Sequence, residues 1–144
     1  MKLDDITDMW SHDCKIDPMD LAKASLETPS IHAKYSRLLA QERLILRKLE
    51  ADLKSLKHSK YEFYTMGHTK ETKELGWELP PKGIILKSEA QTYVDTDQDV
   101  IDATLKVAYQ LEKVDTLIEC IKSINNRQWI IRNAIEWNKF QAGV

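Results

Sequence analysis

Glycine and proline are scarce in this chain, with only 4 of each among 144 residues. Because these residues form many turns and end many helices, their scarcity argues against a sheet with many turns and favours long helices. No apolar run approaches the roughly 18 residues that a membrane span needs. Residues 1–13 are acidic and lack the apolar core of a signal peptide. We therefore expect an all-α cytosolic protein with no membrane segment, organised as one helical domain over residues 1–144.

The chain also lacks the residue patterns of metal sites and enzymes. Cys14 and Cys120 are isolated, which is too few cysteines for a disulfide framework. His12 and Cys14 stand close together, but no second pair of ligand residues completes a metal site. There is no Gly-rich phosphate loop, no G-x-S-x-G and no H-E-x-x-H. The sequence thus predicts a reduced protein with no metal, no cofactor and no catalytic site.

The charge of the chain is strongly segregated, although its net value is only -2. Residues 29–65 carry 8 basic and 4 acidic side chains, whereas residues 1–28 carry 3 and 7. Residues 66–94 are balanced, and residues 95–144 carry 6 basic and 8 acidic side chains. A pI near 6.1 is unusual for a nucleic-acid-binding domain. The local basic segment nevertheless keeps nucleic acid in consideration.

Residues 28–65 are predicted to form a long basic amphipathic helix. Thr28 suits the N-cap and Pro29 the first position, and the next helix-ending residue is Gly67. One narrow sector of this helix is apolar, as expected of a face that packs against other helices. That sector contains Ile31, Tyr35, Leu38, Ile45, Leu49, Leu53, Leu56 and Phe63.

A second sector of the same helix is basic and ends in aromatic residues, and only Glu50 interrupts it. Cations neutralise phosphates and aromatic rings stack on bases, which is the combination used to hold single strands without reading their sequence. Two other interpretations stay open: a solvated helix face for the cations, and core positions for the tyrosines. We call this sector the basic stripe; it contains Arg43, Arg47, Lys54, Lys57, His58, Tyr61 and Tyr64.

The flanking segments are predicted to be shorter elements. Residues 1–27 are expected to form two short helices, one with Leu3, Ile6 and Trp10 on a shared face and one beginning at Asp17. The second must end before Pro29. Residues 66–94 are expected to be a loop region with a short extended piece at residues 84–86.

Residues 95–144 are predicted to form a heptad helix followed by an assembly segment. The helix opens at Asp95 or Thr96, and its apolar residues follow alternating spacings of four and three, as in helices that pair lengthwise. The heptads serve either packing within the chain or a partner. Because the apolar stripe then changes sector, we expect a kink or break at residues 125–126. The last segment carries more apolar surface than a monomer buries easily, which indicates subunit contacts through Ile131, Ile135, Trp137 and Phe140.

Several short segments, in this order and spacing, resemble the UvsY family of recombination mediators from T-even-type phages. They are Leu3-Asp4-Asp5-Ile6, Ile16-Asp17, Lys34-Tyr35-Ser36, residues 56–64, Asp97-x-Asp99-Val100, Ile121-Lys122-Ser123 and residues 140–143. The resemblance implies a non-enzymatic factor that binds single-stranded DNA in the bacterial host cytoplasm. It also implies contacts with the phage recombinase and the single-strand binding protein, and a ring formed through the C-terminal helices, hexameric or heptameric.

In the family a basic pair shortly before the twin-aromatic end of the long helix contributes to DNA binding. Because Glu62-Phe63-Tyr64 matches that end, the resemblance implies that Lys57 or His58, together with Lys60, are the matching positions. We therefore expect an elongated helical bundle whose ring presents repeated basic patches to one strand, which raises avidity. The alternative is a coiled-coil assembly protein that does not bind nucleic acid. The residues expected to contact DNA are Arg43, Arg47, Lys54, Lys57, His58, Lys60, Tyr61 and Tyr64.

Overall fold

The structure, a computed structural model, describes all 144 residues and consists of five helices without a strand. The prediction of an all-α fold with two long helices is confirmed, whereas ring assembly stays a prediction. No helix combines the length and the apolar character that crossing a membrane requires. The helices are α1 (Leu3–Asp13), α2 (Leu21–Met66), α3 (Lys70–Glu74), α4 (Lys87–Asp95) and α5 (Gln98–Gln141).

The chain divides into two compact units, and both boundaries fall within the long helices. The terminal unit comprises Met1–Leu44 and Gln110–Val144, and the central unit comprises Ile45–Tyr109. A single domain stays a prediction. Arg43 is exposed in the terminal unit, while the other members of the basic stripe belong to the central unit.

The start of α2 differs from the prediction, because the helix begins at Leu21 and runs through Pro29. A carboxylate oxygen of Asp20 accepts from the Lys23 N–H at 3.2 Å, so Asp20 takes the capping role expected of Asp17 and Thr28. A proline inside a helix deprives the carbonyl four residues earlier of its N–H partner. That carbonyl belongs to Ser25, which is exposed to water. The helix therefore continues where the sequence predicts two helices.

Contacts from α5 accompany this proline turn. The hydroxyl of Thr28 donates to the carbonyl of Ala24 at 3.0 Å, and Nε of Arg127 donates to the Thr28 hydroxyl at 3.1 Å. Arg127 is buried. The bond from Arg127 ties the start of α2 to α5 within the terminal unit.

Helix α5 continues through residues 125–126, so the predicted break there is wrong. Its start is also later than predicted, because Asp97 caps it by accepting from the N–H groups of Asp99 and Val100 at 2.9 and 3.3 Å. The apolar residues alone do not trace the buried face of α5, since polar residues share that face and Leu111, which lies at the heptad spacing, is 44% exposed. The buried face contains Gln110, Lys113, Leu117, Cys120, Ile124, Arg127 and Ile131.

The core of the terminal unit joins α1, α2 and α5. Ile6 and Tyr35 are fully buried, as is Leu117. The Trp10 ring meets the Tyr35 ring edge-on, with centroids 5.2 Å apart. Helix α1 therefore packs against the unit through the face that carries Ile6 and Trp10.

The core of the central unit is formed around the end of α2. Phe63 and Tyr64 cluster with Ile85, Val94 and Val100. The predicted loop region, residues 66–94, contains the helices α3 and α4. Its extended piece is not a strand, but the Ile85 N–H donates to the carbonyl of Tyr64 at 2.8 Å. This bond anchors the segment to the last turn of α2.

Candidate nucleic-acid interface

The basic stripe retains five members at or near the surface of the central unit. Arg47, Lys54 and His58 are exposed, and Lys57 and Tyr61 are half-buried. Their helical spacing places these side chains in one sector of α2. Arg47, Lys54 and Lys57 form no ion pair, so these three charges are available to an anionic ligand.

His58 differs from these cations because it has an acidic neighbour on the same helix. Its Nε2 lies 3.0 Å from a carboxylate oxygen of Glu62, and both side chains are largely exposed. An exposed pair of this kind contributes little to stability and is screened by salt. Because a carboxylate stands beside His58, this position adds less net positive charge to the stripe than Lys54 and Lys57, which form no ion pair.

Lys60 does not lie on the surface with the stripe. Only 3% of the residue is exposed. Its Nζ lies 2.9 Å from a carboxylate oxygen of Asp99 and 3.1 Å from one of Asp97. The same atom lies 3.9 Å from the ring centroid of Trp77, within the range of a cation–π contact. The structure thus places the Lys60 charge inside the central unit.

Tyr64 is also buried, in agreement with the alternative that it belongs to the core at the helix end. Its hydroxyl donates to the Asp97 carboxylate at 2.6 Å. Burial, followed by the hydrogen bond to Asp97, raises the pKa of the Tyr64 hydroxyl far above its ordinary value. The ring is therefore not available for stacking on a base in this conformation.

Asp97 is the centre of a polar group that we call the Asp97 network, formed by the buried Lys60 and Tyr64, by Asp97, and by Asp99, whose side chain is 56% exposed. One carboxylate oxygen of Asp97 caps α5, and the other accepts from Tyr64 and contacts Lys60. Burial alone would raise the pKa of Asp97, but the hydrogen bonds from Tyr64 and Lys60 outweigh burial and hold it below its usual range. The network therefore joins the end of α2 to the start of α5.

The position of Lys60 was discernible in the sequence pattern. Lys60 follows Leu56 by four residues and precedes Phe63 by three, so it lies at the spacing of the apolar sector. The basic stripe and the apolar sector meet at this point. What the sequence alone could not show is that Asp97, which caps α5, and Asp99 in its first turn make a buried lysine tolerable.

The residues expected to mediate assembly separate into two groups. Ile131 is 3% exposed and packs inside the terminal unit, so its predicted place in a subunit contact is not what the structure shows. Trp137 and Phe140 are 58% and 73% exposed, and their rings stack with centroids 5.6 Å apart. Ile135 is 37% exposed.

Two further apolar side chains on α5 are exposed beside this group. Trp129 and Ile130 are 54% and 55% exposed. Helical spacing places both, with Trp137 and Phe140, on the side of α5 away from Ile131. The terminal segment thus has one apolar face inside its own unit and a second one open, which we call the outer apolar face.

The two cysteines do not form part of the candidate interface. Cys14 is exposed and Cys120 buried, and both are free thiols. Burial raises the pKa of the Cys120 thiol to about 11. No three side chains of His, Cys, Asp or Glu are grouped as metal ligands would be.

Comparison with known proteins identifies the family of this chain. The profile of the family described as recombination, repair and ssDNA binding protein UvsY matches residues 9–144. The chain belongs to the UvsY family. No curated protein matches the sequence. The family description makes single-stranded DNA the ligand class for which the basic stripe must be considered.

The fold is that of solved structures of the recombination mediator protein UvsY from bacteriophage T4. One crystal form superposes with a TM-score of 0.84 at 19% identity, covering 99% of this chain and 98% of that one. A second crystal form superposes with a TM-score of 0.83 at 18% identity, covering 97% of this chain and 99% of that one. A third superposes with a TM-score of 0.81 at 18% identity, covering 95% of this chain and 98% of that one. The resemblance inferred from the sequence is confirmed.

Proposed function

We propose that this UvsY-family protein is a recombination mediator that holds single-stranded DNA along the basic stripe. The observation that carries the proposal is the row of unpaired cations Arg47, Lys54 and Lys57, with Tyr61 beside them on one face of α2. Lysine and arginine neutralise phosphates of any sequence, and a tyrosine ring stacks on any base. Such an interface binds a strand without reading it, as a factor acting along whole single strands requires.

One stripe of this size binds DNA weakly, so assembly is the second part of the proposal. The outer apolar face offers two tryptophans, a phenylalanine and an isoleucine to another copy of the chain. A large exposed apolar patch is typical of protein contacts. In a ring of identical copies the stripes act on the same strand, and effective concentration raises the avidity without any new contact. The ring is supported by this surface and by membership in the family.

The third part of the proposal concerns partners. We infer that the protein helps the phage recombinase replace the single-strand binding protein on DNA, since its fold is that of the T4 recombination mediator. The stripe suits this task because it is an electrostatic, sequence-independent contact that can be exchanged for another.

The test is binding of a fluorescent single-stranded oligonucleotide at two salt concentrations. We expect binding that is indifferent to sequence and that weakens with salt in proportion to the phosphates contacted. A recombinase-loading assay on DNA coated with single-strand binding protein then tests the mediator role. Stable assembly without any salt-dependent DNA binding would instead support a coiled-coil assembly protein. Binding without an effect on loading would restrict the function to DNA binding.

A further inference from the structure

Lys60 is the only basic residue of α2 that is buried. Its ammonium group lies between two carboxylates and against the face of Trp77. The groups around its charge are therefore supplied by the protein itself. This distinguishes Lys60 from Lys54 and Lys57, which form no ion pair.

The electrostatics around Lys60 disfavour a phosphate at this place. Asp97 and Asp99 together carry more negative charge than Lys60 neutralises, so an approaching phosphate meets a net negative group. To reach a strand, Lys60 would have to leave both carboxylates and the indole ring. It would also leave Asp97 buried beside Tyr64 without its cation, which is costly.

Lys60 nevertheless lies within one turn of the residues proposed to touch DNA. Lys57 precedes it by three residues and Tyr61 follows directly. Tyr61 packs against the core cluster of the central unit. Because Lys60 bonds the start of α5, it holds the last turns of α2 against the rest of the unit.

We propose that Lys60 is a positioning residue for single-stranded DNA binding: through Asp97 and Asp99 it fixes the end of α2, and so orients Lys57 and Tyr61, without itself contacting the strand. This inference rests on the proposed interface along the basic stripe. It assigns to the Asp97 network a role in DNA binding even though the network is acidic and its lysine is buried.

The sharpest test is Asp97→Asn, because the two roles of Lys60 predict opposite signs. If Lys60 contacted phosphate, removing one of its two carboxylate partners would leave more of its charge for the strand, reduce repulsion and tighten DNA binding. If Lys60 positions α2, the same change weakens binding, since one of the two ion pairs that order the helix end is lost and only the pair with Asp99 remains. Asparagine caps helices as well as aspartate does, so the start of α5 is preserved. We expect weaker binding by about tenfold, within the range of coupled contacts.

The second test is the salt dependence of Lys60→Met compared with Lys57→Met. Each phosphate contact on a single strand contributes about 0.7 to the slope of log K against log salt. We expect Lys60→Met to weaken binding with an unchanged slope, whereas Lys57→Met lowers the slope by about 0.7. Lys106→Met is the matched control, because Lys106 is an exposed, unpaired lysine of the same unit outside the stripe.

Two results would overturn the inference: tighter binding by Asp97→Asn, or a slope lowered by Lys60→Met. If Lys57→Met also leaves the slope unchanged, the proposed interface itself fails, and the two failures are distinguishable. Should Lys60→Met not fold, Tyr64→Phe removes only the hydroxyl that bonds Asp97. That variant is then expected to weaken binding at constant slope, and unchanged affinity would count against positioning.

Discussion

Lys113 on α5 and Glu42 on α2 form a buried ion pair in the terminal unit, with Nζ and the carboxylate oxygen 2.7 Å apart. Gln110 completes the group by donating to the backbone carbonyl of Glu42 at 2.9 Å. Burial alone would raise the pKa of Glu42, but the hydrogen bonds from Lys113 and Gln110 hold it below its ordinary value. Breaking such a pair from one side leaves a charge buried without a partner.

The first prediction follows from this pair. Lys113→Met should lower the free energy of unfolding by about 3–5 kcal/mol, because Glu42 is left buried and uncompensated. The double variant Glu42→Leu/Lys113→Met should recover most of that loss, since both charges are replaced by apolar groups. Urea unfolding followed by circular dichroism measures both. A double variant no more stable than Lys113→Met would show that the pair contributes more than charge compensation.

The second prediction concerns acid. The folded state lowers the pKa of Asp13, Glu42 and Asp97, so each carboxylate binds its proton less readily when folded than when unfolded. Their contribution is therefore present above the unfolded values of 4.5 for Glu and 3.8 for Asp and is lost as pH falls through the folded values. The urea midpoint should vary little between about pH 7 and pH 5 on account of these groups and fall below about pH 4.5. Asp97→Asn should make that fall shallower; an identical acid profile would contradict the assignment.

The third prediction separates core from assembly surface on α5. Trp137→Ala and Phe140→Ala should reduce the native mass measured by sedimentation, because both side chains lie on the outer apolar face. Ile131→Ala should instead lower the free energy of unfolding by about 2–5 kcal/mol, because it leaves a cavity in the terminal unit. Deleting residues 127–144 would remove both functions at once, so the point substitutions are the clearer experiment. Full native mass in the double variant Trp137→Ala/Phe140→Ala would exclude this face from assembly.

The fourth prediction concerns the thiols. Cys14 is exposed, whereas Cys120 is buried with a pKa near 11, so a thiol reagent should label one cysteine in the native protein and both after denaturation. Cys14→Ser should remove the fast labelling and leave DNA binding intact under reducing and oxidising conditions. Loss of binding in Cys14→Ser that zinc restores would point to a metal site instead.

The parts of the fold that the sequence could predict are those that depend on the local spacing of apolar residues. The apolar face of α1 and the helical nature of both long segments follow from residue spacing. The continuation of α2 through Pro29 could not be predicted from local spacing. It is accompanied by a hydrogen bond to Thr28 from Arg127, a residue far along the chain. Similarly, the buried face of α5 includes polar residues such as Lys113, whose burial is tolerable only beside Glu42.

The same limit applies to the candidate site. The exposed cations of the basic stripe were predictable, since exposure follows from distance to the apolar sector of the helix. Lys60 and Tyr64 lie where the two sectors meet, and their burial depends on Asp97, which caps another helix far along the chain. For a residue at the edge of such a sector, the residue type therefore does not show whether its side chain is exposed or buried.

The fifth prediction tests the stripe itself. Lys54→Ala and Lys57→Ala should each weaken single-strand binding similarly for all sequences and lower the salt slope by about 0.7, because each removes one phosphate contact. Tyr61→Ala should cost about 1–3 kcal/mol per stacked base with little change in slope, because stacking releases no counterions. Lys106→Ala, which removes an unpaired lysine outside the stripe, is the control for net charge.

The change in affinity and the change in salt slope are both measured in the same titrations at several salt concentrations. The variants compared must have an unchanged native mass. In an assembled ring each substitution is repeated in every copy, so the loss of affinity should exceed that of a single patch. If Lys54→Ala and Lys57→Ala together leave both affinity and slope as in Lys106→Ala, the stripe is only a solvated helix face. Any single-stranded DNA that such a variant still binds would contact the protein elsewhere, since Lys54 and Lys57 would make no contact with phosphate.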